Sequence, residues 1–289
     1  MCYNKDNIKG INNIQGGLKL KYKIVALDMD GTLLNEQKEI TEETKNVISE
    51  ARNKGVKIVL SSGRPLDGLK GYLKELDLVD NNEFVLSYNG CLVQETKTSK
   101  IIHEVGLKGS DLKYMYNLSK EIGVNIHAFS PNIGLMSPKI SKYTEVEANI
   151  NKININIIDF NKINDNDDIV KVMMVDEPEI LDEAIKKLPQ SIYDKYTVVK
   201  SAPFFLEFIN KNADKGKGLE ALAKYLGVKR EEIIAMGDAE NDLAMIKYAG
   251  LGVAMGNAVE KVKEASDVVT LTNEQNGVAK IIKEYILNS

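Results

Sequence analysis

The chain is poor in the residues that bind transition metals and staple small secreted domains. Its 289 residues include two cysteines and two histidines. Cys2 sits in the N-terminal tail and Cys91 far from it, so no structural disulfide is expected and a reducing, cytoplasmic setting fits. His103 and His127 are too few for a metal cluster and are expected to fill structural positions on strands. Basic charge is not in excess: 38 Lys and Arg against 42 Asp and Glu leave a net charge of −4, which argues against a nucleic-acid partner. No apolar run reaches the roughly 18 residues of a membrane-spanning helix, so no membrane role is expected. The N-terminus, MCYNKDNIKGINNIQGGLKL, is polar and Asn-rich and lacks the apolar stretch of a signal peptide. Residues 1–20 therefore read as a mobile extension or a cloning remnant. No Gly-x-Gly-x-x-Gly follows the first apolar run, which speaks against a nucleotide-binding dehydrogenase. The NDNDD run at 164–168 lacks the glycine and distal glutamate of a calcium loop. Nothing in the sequence fixes an oligomeric state.

What is present is a packable core, with 43% apolar and 28% charged residues. Five short apolar runs read as strands: KIVALD (23–28), KIVLSS (57–62), FVLSYN (84–89), IIAMGD (233–238) and LGVAM (251–255). Each is nearly all apolar, as parallel strands covered on both faces must be. Between the first two, Ile40, Thr44, Val47, Ile48 and Ala51 recur at helical spacing, with Thr41 to cap the helix and Gly55 to stop it. The stretches GLEALAKYLG and NDLAMIKYAG give further helices. Strand, helix, strand with short links predicts an α/β fold with a doubly wound, Rossmann-like parallel sheet. The middle of the chain breaks this rhythm with paired strands, so an α+β insert is expected over 89–208, between core segments 21–88 and 209–289. Its crossings are expected near Asn89-Gly90 and Asn210, and its first hairpin at CLVQETKTSKIIHEV.

Ligands of open α/β sheets bind at the carboxyl ends of the strands. There the sequence places Asp28 and Asp30, then Ser62-Gly63-Arg64, then Asp238. Acids at buried strand ends are costly unless paired or metal-bound. Asp28, Asp30 and Asp238 together would suit a hard cation such as Mg²⁺, which takes oxygen ligands and leaves positions for water and a phosphate. Lys215 opens a helix and can place its ammonium beside a phosphoryl group. Ser62, the amides of Gly63 and Met29, and Asn241 at a helix start can donate to the same anion. This arrangement suits phosphoryl transfer, with Asp28 as nucleophile and Asp30 as general acid and base. Gly31 and Thr32 allow the sharp turn between them.

The four stretches DMDGTLL, SSGR, DKG and GDAEND occur in this order and resemble the four motifs of haloacid-dehalogenase-superfamily phosphatases. The size and place of the insert resemble the Cof-type subgroup with a class IIB cap, and KVMMVDEPEILDEAIKKL, VKSAPFFLEF and YAGLGVAMGNA resemble YidA-like sugar phosphatases. The likeness runs over residues 21–287. It implies that Asp28 is nucleophile and metal ligand. Asp30 would be acid and base and lend its backbone carbonyl to the metal. Ser62 would be the phosphate-binding hydroxyl, Lys215 the lysine, Asp238 the last metal carboxylate and Asn241 the phosphate-orienting amide. Asp242 would sit behind these, and Arg64 would either bridge core and cap or pair with a surface acid. Motif two usually reads Thr-Gly-Arg, and here a serine supplies the hydroxyl.

The function implied is a Mg²⁺-dependent phosphomonoesterase for small sugar phosphates. Two alternatives stand beside it: a sugar phosphomutase of the same superfamily, and a sugar-phosphate-binding protein without catalysis. Lys139, Lys142 and Lys200 are cap side chains that could contact the sugar.

Overall fold

The computed structural model describes residues 20–80 and 82–288, so the expected N-terminal extension, Leu20 apart, lies outside the described residues. Along the first strand, β1 (Ile24–Asp28), every residue is buried. Val25 and Leu27 pack on one face of the sheet, while Ile24 and Ala26 pack on the other. The two-residue alternation of a strand thus feeds two apolar layers at once, and this is why the run contains no polar residue before its end. Helix α1 (Glu42–Asn53) follows, with the Thr41 hydroxyl accepting from the amide of Thr44 as its cap. Next come β2 (Lys57–Ser61), α2 (Leu66–Glu75) and β3 (Phe84–Ser87).

The hairpin β4 (Leu92–Glu95) and β5 (Ile101–Glu104) then adds to the same sheet, with β4 antiparallel to β3. This corrects the expected insert boundary at residue 89. The hairpin assigned to the insert extends the main sheet, because Val85, Leu86 and Ser87 of β3 offer an open edge to Gln94, Val93 and Leu92. His103 accordingly lies on the main sheet.

The chain leaves this sheet at Val105-Gly106 and builds a second one. Its elements are β6 (Leu107–Lys108), α3 (Gly109–Ile122), β7 (Asn125–Ser130), β8 (Gly134–Ser137), α4 (Lys142–Asn151), β9 (Ile155–Ile157), β10 (Asp168–Ile169), β11 (Lys171–Val175), α5 (Pro178–Lys186), α6 (Gln190–Lys195), β12 (Tyr196–Ala202) and β13 (Phe205–Asn210). Six of these strands form a mixed sheet in the order β12-β13-β11-β7-β8-β9. Residues such as Val172, Met174, Leu206 and Phe208 pack one face against Leu112, Met115, Leu181 and Ala184 of α3 and α5. The alternate residues Met173, Val175, Phe205 and Ile209 face the other way, in a cluster with Tyr88, Cys91 and Leu92 of the main-sheet segment.

The chain returns through α7 (Lys215–Leu226), β14 (Ile233–Gly237), α8 (Leu243–Tyr248), β15 (Leu251–Ala254), α9 (Glu260–Ala265), β16 (Val268–Val269) and α10 (Gly277–Ile282). The main sheet then has eight strands in the order β16-β15-β14-β1-β2-β3-β4-β5, parallel from β16 to β3. β1 leads outward through β2 to β3, and β14 leads outward the other way. The point where the winding reverses falls between β1 and β14, which is where a doubly wound sheet opens a crevice. Among the described residues, no helix is long and apolar enough to cross a membrane.

Candidate active site

Asp28 ends β1 and Asp238 follows β14, so the reversal point puts both carboxylates at one crevice. Between them the chain turns through Met29-Asp30-Gly31-Thr32. The amide of Leu34 bonds to the carbonyl of Met29 at 2.9 Å, and the Thr32 hydroxyl donates to Asp238 Oδ1 at 2.8 Å. Gly31 has a φ of +88°, and a Cβ there would overlap the Asp238 carboxylate. Only glycine closes this turn so tightly. The Met29 side chain points into the core and is fully buried.

Lys215 is the centre of the charge network. It is 0% exposed, and its ammonium donates to Asp28 Oδ1 at 2.5 Å, Asp242 Oδ1 at 2.7 Å and the carbonyl of Ser61 at 3.0 Å. These three acceptors use all three of its protons. Burial opposes its charge, but Asp28 and then Asp242 outweigh that and raise its pKa above the ordinary lysine range. Asp242 is itself fully buried, and its second oxygen accepts from the amides of Asp238 and Ala239, both at 3.0 Å. It fixes the β14 loop to Lys215 and has no oxygen left over.

For Asp28, burial is the largest influence. Lys215 opposes it, Asp242 and Asp238 add to it, and the carboxyl is pushed up to about 7. Burial raises Asp238 as well, against the pull of the Thr32 hydrogen bond. Carboxylate oxygens of Asp28, Asp238 and Asp242 lie within 4.8 Å of one another. Lys215 bonds Asp28 and Asp242, and Asp238 adds a third acid, so negative charge is in excess where the Asp28 and Asp238 oxygens meet, which fits a hard divalent cation. The side chain of Asp30 is not in this group, contrary to the expectation that Asp28, Asp30 and Asp238 converge. Arg64 Nη2 holds both of its oxygens at 2.8 Å and Lys38 Nζ holds one at 2.8 Å. Burial works to raise its pKa, but Lys38 and Arg64 win and keep it below the usual carboxylate range. Arg64 thus pairs with a core acid, Asp30, and lies over the ring of Tyr72, also in the core.

The other predicted donors gather nearby. Ser62, Gly63 and Asn241 line the same cavity as Asp28, Asp30, Arg64 and Lys215. Ser61 does not line it, and its buried hydroxyl has no hydrogen-bond partner among the described residues, so Ser62 is the serine presented to the cavity. One contributor was missed in the sequence. Asn89 has a φ of +56°, follows Tyr88 at +51°, and precedes Gly90 at +85°. Three consecutive left-handed residues, two of them not glycine, mark a strained turn at a site. There the Asn89 amide bonds to the carbonyl of Ser62 at 2.8 Å, and its side-chain oxygen accepts from Asn241 Nδ2 at 3.1 Å. It ties the second motif to the fourth.

The cavity is about 830 Å³ in volume and is roofed by Glu147 and Asn151 of α4 and by Lys171, Thr197, Ser201 and Glu207 of the second sheet. The cap lysines singled out from sequence are elsewhere. Lys142 pairs with Glu177 at 2.6 Å, Lys200 pairs with Asp182, and Lys139 lines a separate surface cleft. The signal for Lys171 was present in the sequence as a charge heading the apolar run VMMV, and for Glu207 as a charge inside FFLEFI.

A family model described as haloacid dehalogenase-like hydrolase matches residues 25–282. A Bacillus subtilis protein named "Putative phosphatase YxeH" is 41% identical over 267 residues, spanning 92% of this chain and 99% of its own length. The 5-amino-6-(5-phospho-D-ribitylamino)uracil phosphatase YcsE of the same organism is 32% identical over 265 residues, spanning 92% of this chain and 96% of its own. A crystal structure of a haloacid dehalogenase-like hydrolase from Bacteroides thetaiotaomicron superposes with a TM-score of 0.81 at 35% identity, spanning 91% of this chain and 99% of its own.

Proposed function

The chain belongs to the haloacid dehalogenase-like hydrolases, and from that premise we propose that it hydrolyses phosphate monoesters of small polyhydroxylated metabolites, sugar phosphates in particular, through a phosphorylated Asp28. The observation that carries this reading is the buried Lys215 fixed between Asp28 and Asp242 beneath a cavity with room for a leaving group. The ribityl phosphate named for the YcsE relative is a polyol monoester, which supports the substrate class.

Asp28 attacks phosphorus with its free oxygen, and the ester oxygen departs with a proton from Asp30. Water then attacks the phosphorus of the phosphorylated Asp28 as Asp30 takes its proton, the bond from phosphorus to the Asp28 oxygen breaks, and inorganic phosphate leaves with the Asp28 carboxylate restored. Ser62, the Gly63 and Met29 amides and Asn241 bind the phosphoryl oxygens, with Asn89 orienting Asn241. Lys215 keeps Asp28 oriented and offsets the charge that gathers as one anion approaches another. Asp28 and Asp238, with the backbone carbonyl of Asp30, would hold a Mg²⁺ ion, which when bound supplies further charge neutralisation at the phosphoryl oxygens. Asp30 must loosen its hold on Arg64 and Lys38 to move a proton, so these two residues set its readiness.

The test is a pair of variants assayed with Mg²⁺ and an aryl phosphate. Asp28→Asn is expected to lose turnover and to take up no covalent phosphate. Asp30→Asn is expected to slow turnover by ~10²–10⁴-fold and to accumulate phosphate on Asp28, seen as a mass gain on its peptide. Phosphate on another residue, or a turning-over Asp28→Asn, would show the roles to be wrong, and full turnover in excess chelator would remove the metal.

A further inference from the structure

The second sheet carries charge where strand stability asks for none. Lys171 begins β11 and Glu207 lies within β13, two interior strands of that sheet. Strand alternation puts them on the same face as Met173, Phe205 and Ile209, the face turned away from α3 and α5 and packed against α4. Both are buried, at 3% and 9% exposure. Lys171 Nζ lies 3.1 Å from Glu207 Oε2 and 3.9 Å from Glu147 Oε1, and the Ser201 hydroxyl donates to Glu207 Oε1 at 2.6 Å. Asn151 lines the same wall, and its buried Oδ1 has no hydrogen-bond partner among the described residues. All of these share one cavity with Asp28 and Lys215.

A buried ion pair is weak as a source of stability, since apolar residues of like volume serve as well or better. The wall also has two carboxyl groups for its single ammonium; burial raises the Glu147 pKa against the pull of Lys171, and that ammonium is already engaged by Glu207, so these residues offer an anion no spare cation. A molecule with its phosphate at Asp28 turns its remainder toward this wall. Hydroxyl or amine hydrogens meet carboxylate oxygens there, and a hydroxyl oxygen can share the Lys171 protons. A second phosphate or a carboxylate would instead face Glu147 and Glu207 in a poorly solvated pocket, where like charges repel strongly.

We propose that Glu147, Lys171, Ser201 and Glu207 select the leaving group by charge, admitting neutral or amine-bearing polyols that carry one phosphate and rejecting those with a second anionic group at the far end. This rests on the phosphatase reading above. It also disfavours a phosphomutase, which must hold a bisphosphate in the same space.

The full-length protein with Mg²⁺ tests this through kcat/KM on matched pairs: sorbitol 6-phosphate against 6-phosphogluconate, and fructose 6-phosphate against fructose 1,6-bisphosphate. The neutral member of each pair is expected to lead by on the order of tenfold or more. Glu207→Gln is expected to narrow both ratios. Glu147→Gln leaves Lys171 paired with Glu207 and is expected to do the same should the first variant fail to fold. Parity in the unmodified protein, or a lead for the anionic members, overturns the charge filter while p-nitrophenyl phosphate turnover leaves the phosphatase reading standing. No hydrolysis of any ester, the aryl phosphate included, overturns both.

Discussion

Lys215 and His127 are both fully buried, and opposite electrostatics govern them. Lys215 stays charged because two carboxylates and a carbonyl surround it. Removing it with Lys215→Ala leaves Asp28 and Asp242 as buried acids without their cation. That is expected to cost about 3–5 kcal/mol, the usual result of breaking a buried pair, and to abolish turnover. Urea unfolding checks the first and a phosphate-release assay the second. An unchanged unfolding midpoint would mean that the network does not contribute to folding. Among the described residues, His127 has no carboxylate hydrogen-bonded to its ring. Thr144 Oγ1 lies 3.3 Å from Nδ1 and Met173 Sδ 3.2 Å from Nε2. Burial, with Lys171 adding to it, pushes its pKa down to about 3. Glu147 and Glu207 are bound up with that lysine and do not reverse the effect. The folded state therefore binds no proton here, while the unfolded chain binds one below its ordinary value of about 6.5. Stability from this group is intact above pH 6.5 and is lost as pH falls toward 3. Between pH 7 and pH 5 the loss is about 2 kcal/mol. His127→Gln is expected to flatten that part of the stability profile, and an identical profile in both proteins would exclude His127 as its source.

Among the elements, the turn after β1 carries the tightest demand on sequence. Gly31→Ala forces a left-handed φ on a residue with a Cβ and drives that atom into Asp238. We expect a loss of about 1–3 kcal/mol of stability and a raised Mg²⁺ requirement, because Asp238 must move. Thermal unfolding and a metal titration of activity would measure the two, and wild-type behaviour in both would mean the turn relaxes without consequence. This turn was legible in the sequence because an apolar strand, two acids, a glycine and a threonine leave few other conformations. The parallel strands were legible for the same reason, since only strands covered on both faces tolerate runs like IVAL. The hairpin Leu92–Glu104 was not. Its alternation predicts two paired strands but says nothing of which sheet offers them an edge, and that is decided by β3 after folding. Asn89 was missed because an asparagine before a glycine reads as an ordinary turn, and its bond to Asn241 spans 152 positions. Lys171 and Glu207 were legible as charges in apolar strands, but their partner Glu147 comes from α4 and is joined to them by tertiary packing alone.

At the scale of the whole molecule, two chain crossings connect the sheets, and they meet. Asn210 Nδ2 donates to the carbonyl of Gly106 at 2.6 Å, so the outgoing and returning segments are tied at one point. The outgoing crossing is thus at Val105-Gly106 rather than at Asn89-Gly90, because the intervening hairpin stays with the main sheet. Beyond this tie, the second sheet meets the first through apolar packing, with Tyr88, Cys91 and Leu92 against Phe129, Met173 and Phe205. The Tyr88 ring meets Phe129 edge-on at 5.4 Å, and Asn151 of α4 packs on Gly68 of α2 with no room for a larger residue. The two crossings meet at one point, and the apolar contacts elsewhere are non-directional, so we expect one sheet to rotate against the other, and closing that rotation would exclude water from Asp28. We therefore expect a phosphate mimic such as tungstate, added with Mg²⁺, to slow amide hydrogen exchange at 88–90 and along α4, both of which supply residues lining the cavity. Exchange in the interior strands β1 and β2, already buried, is expected to stay as it was. Equal exchange at 88–90 and α4 with and without the mimic, at concentrations that inhibit turnover, would mean that the two sheets are fixed and that substrate reaches Asp28 through a cavity of constant shape.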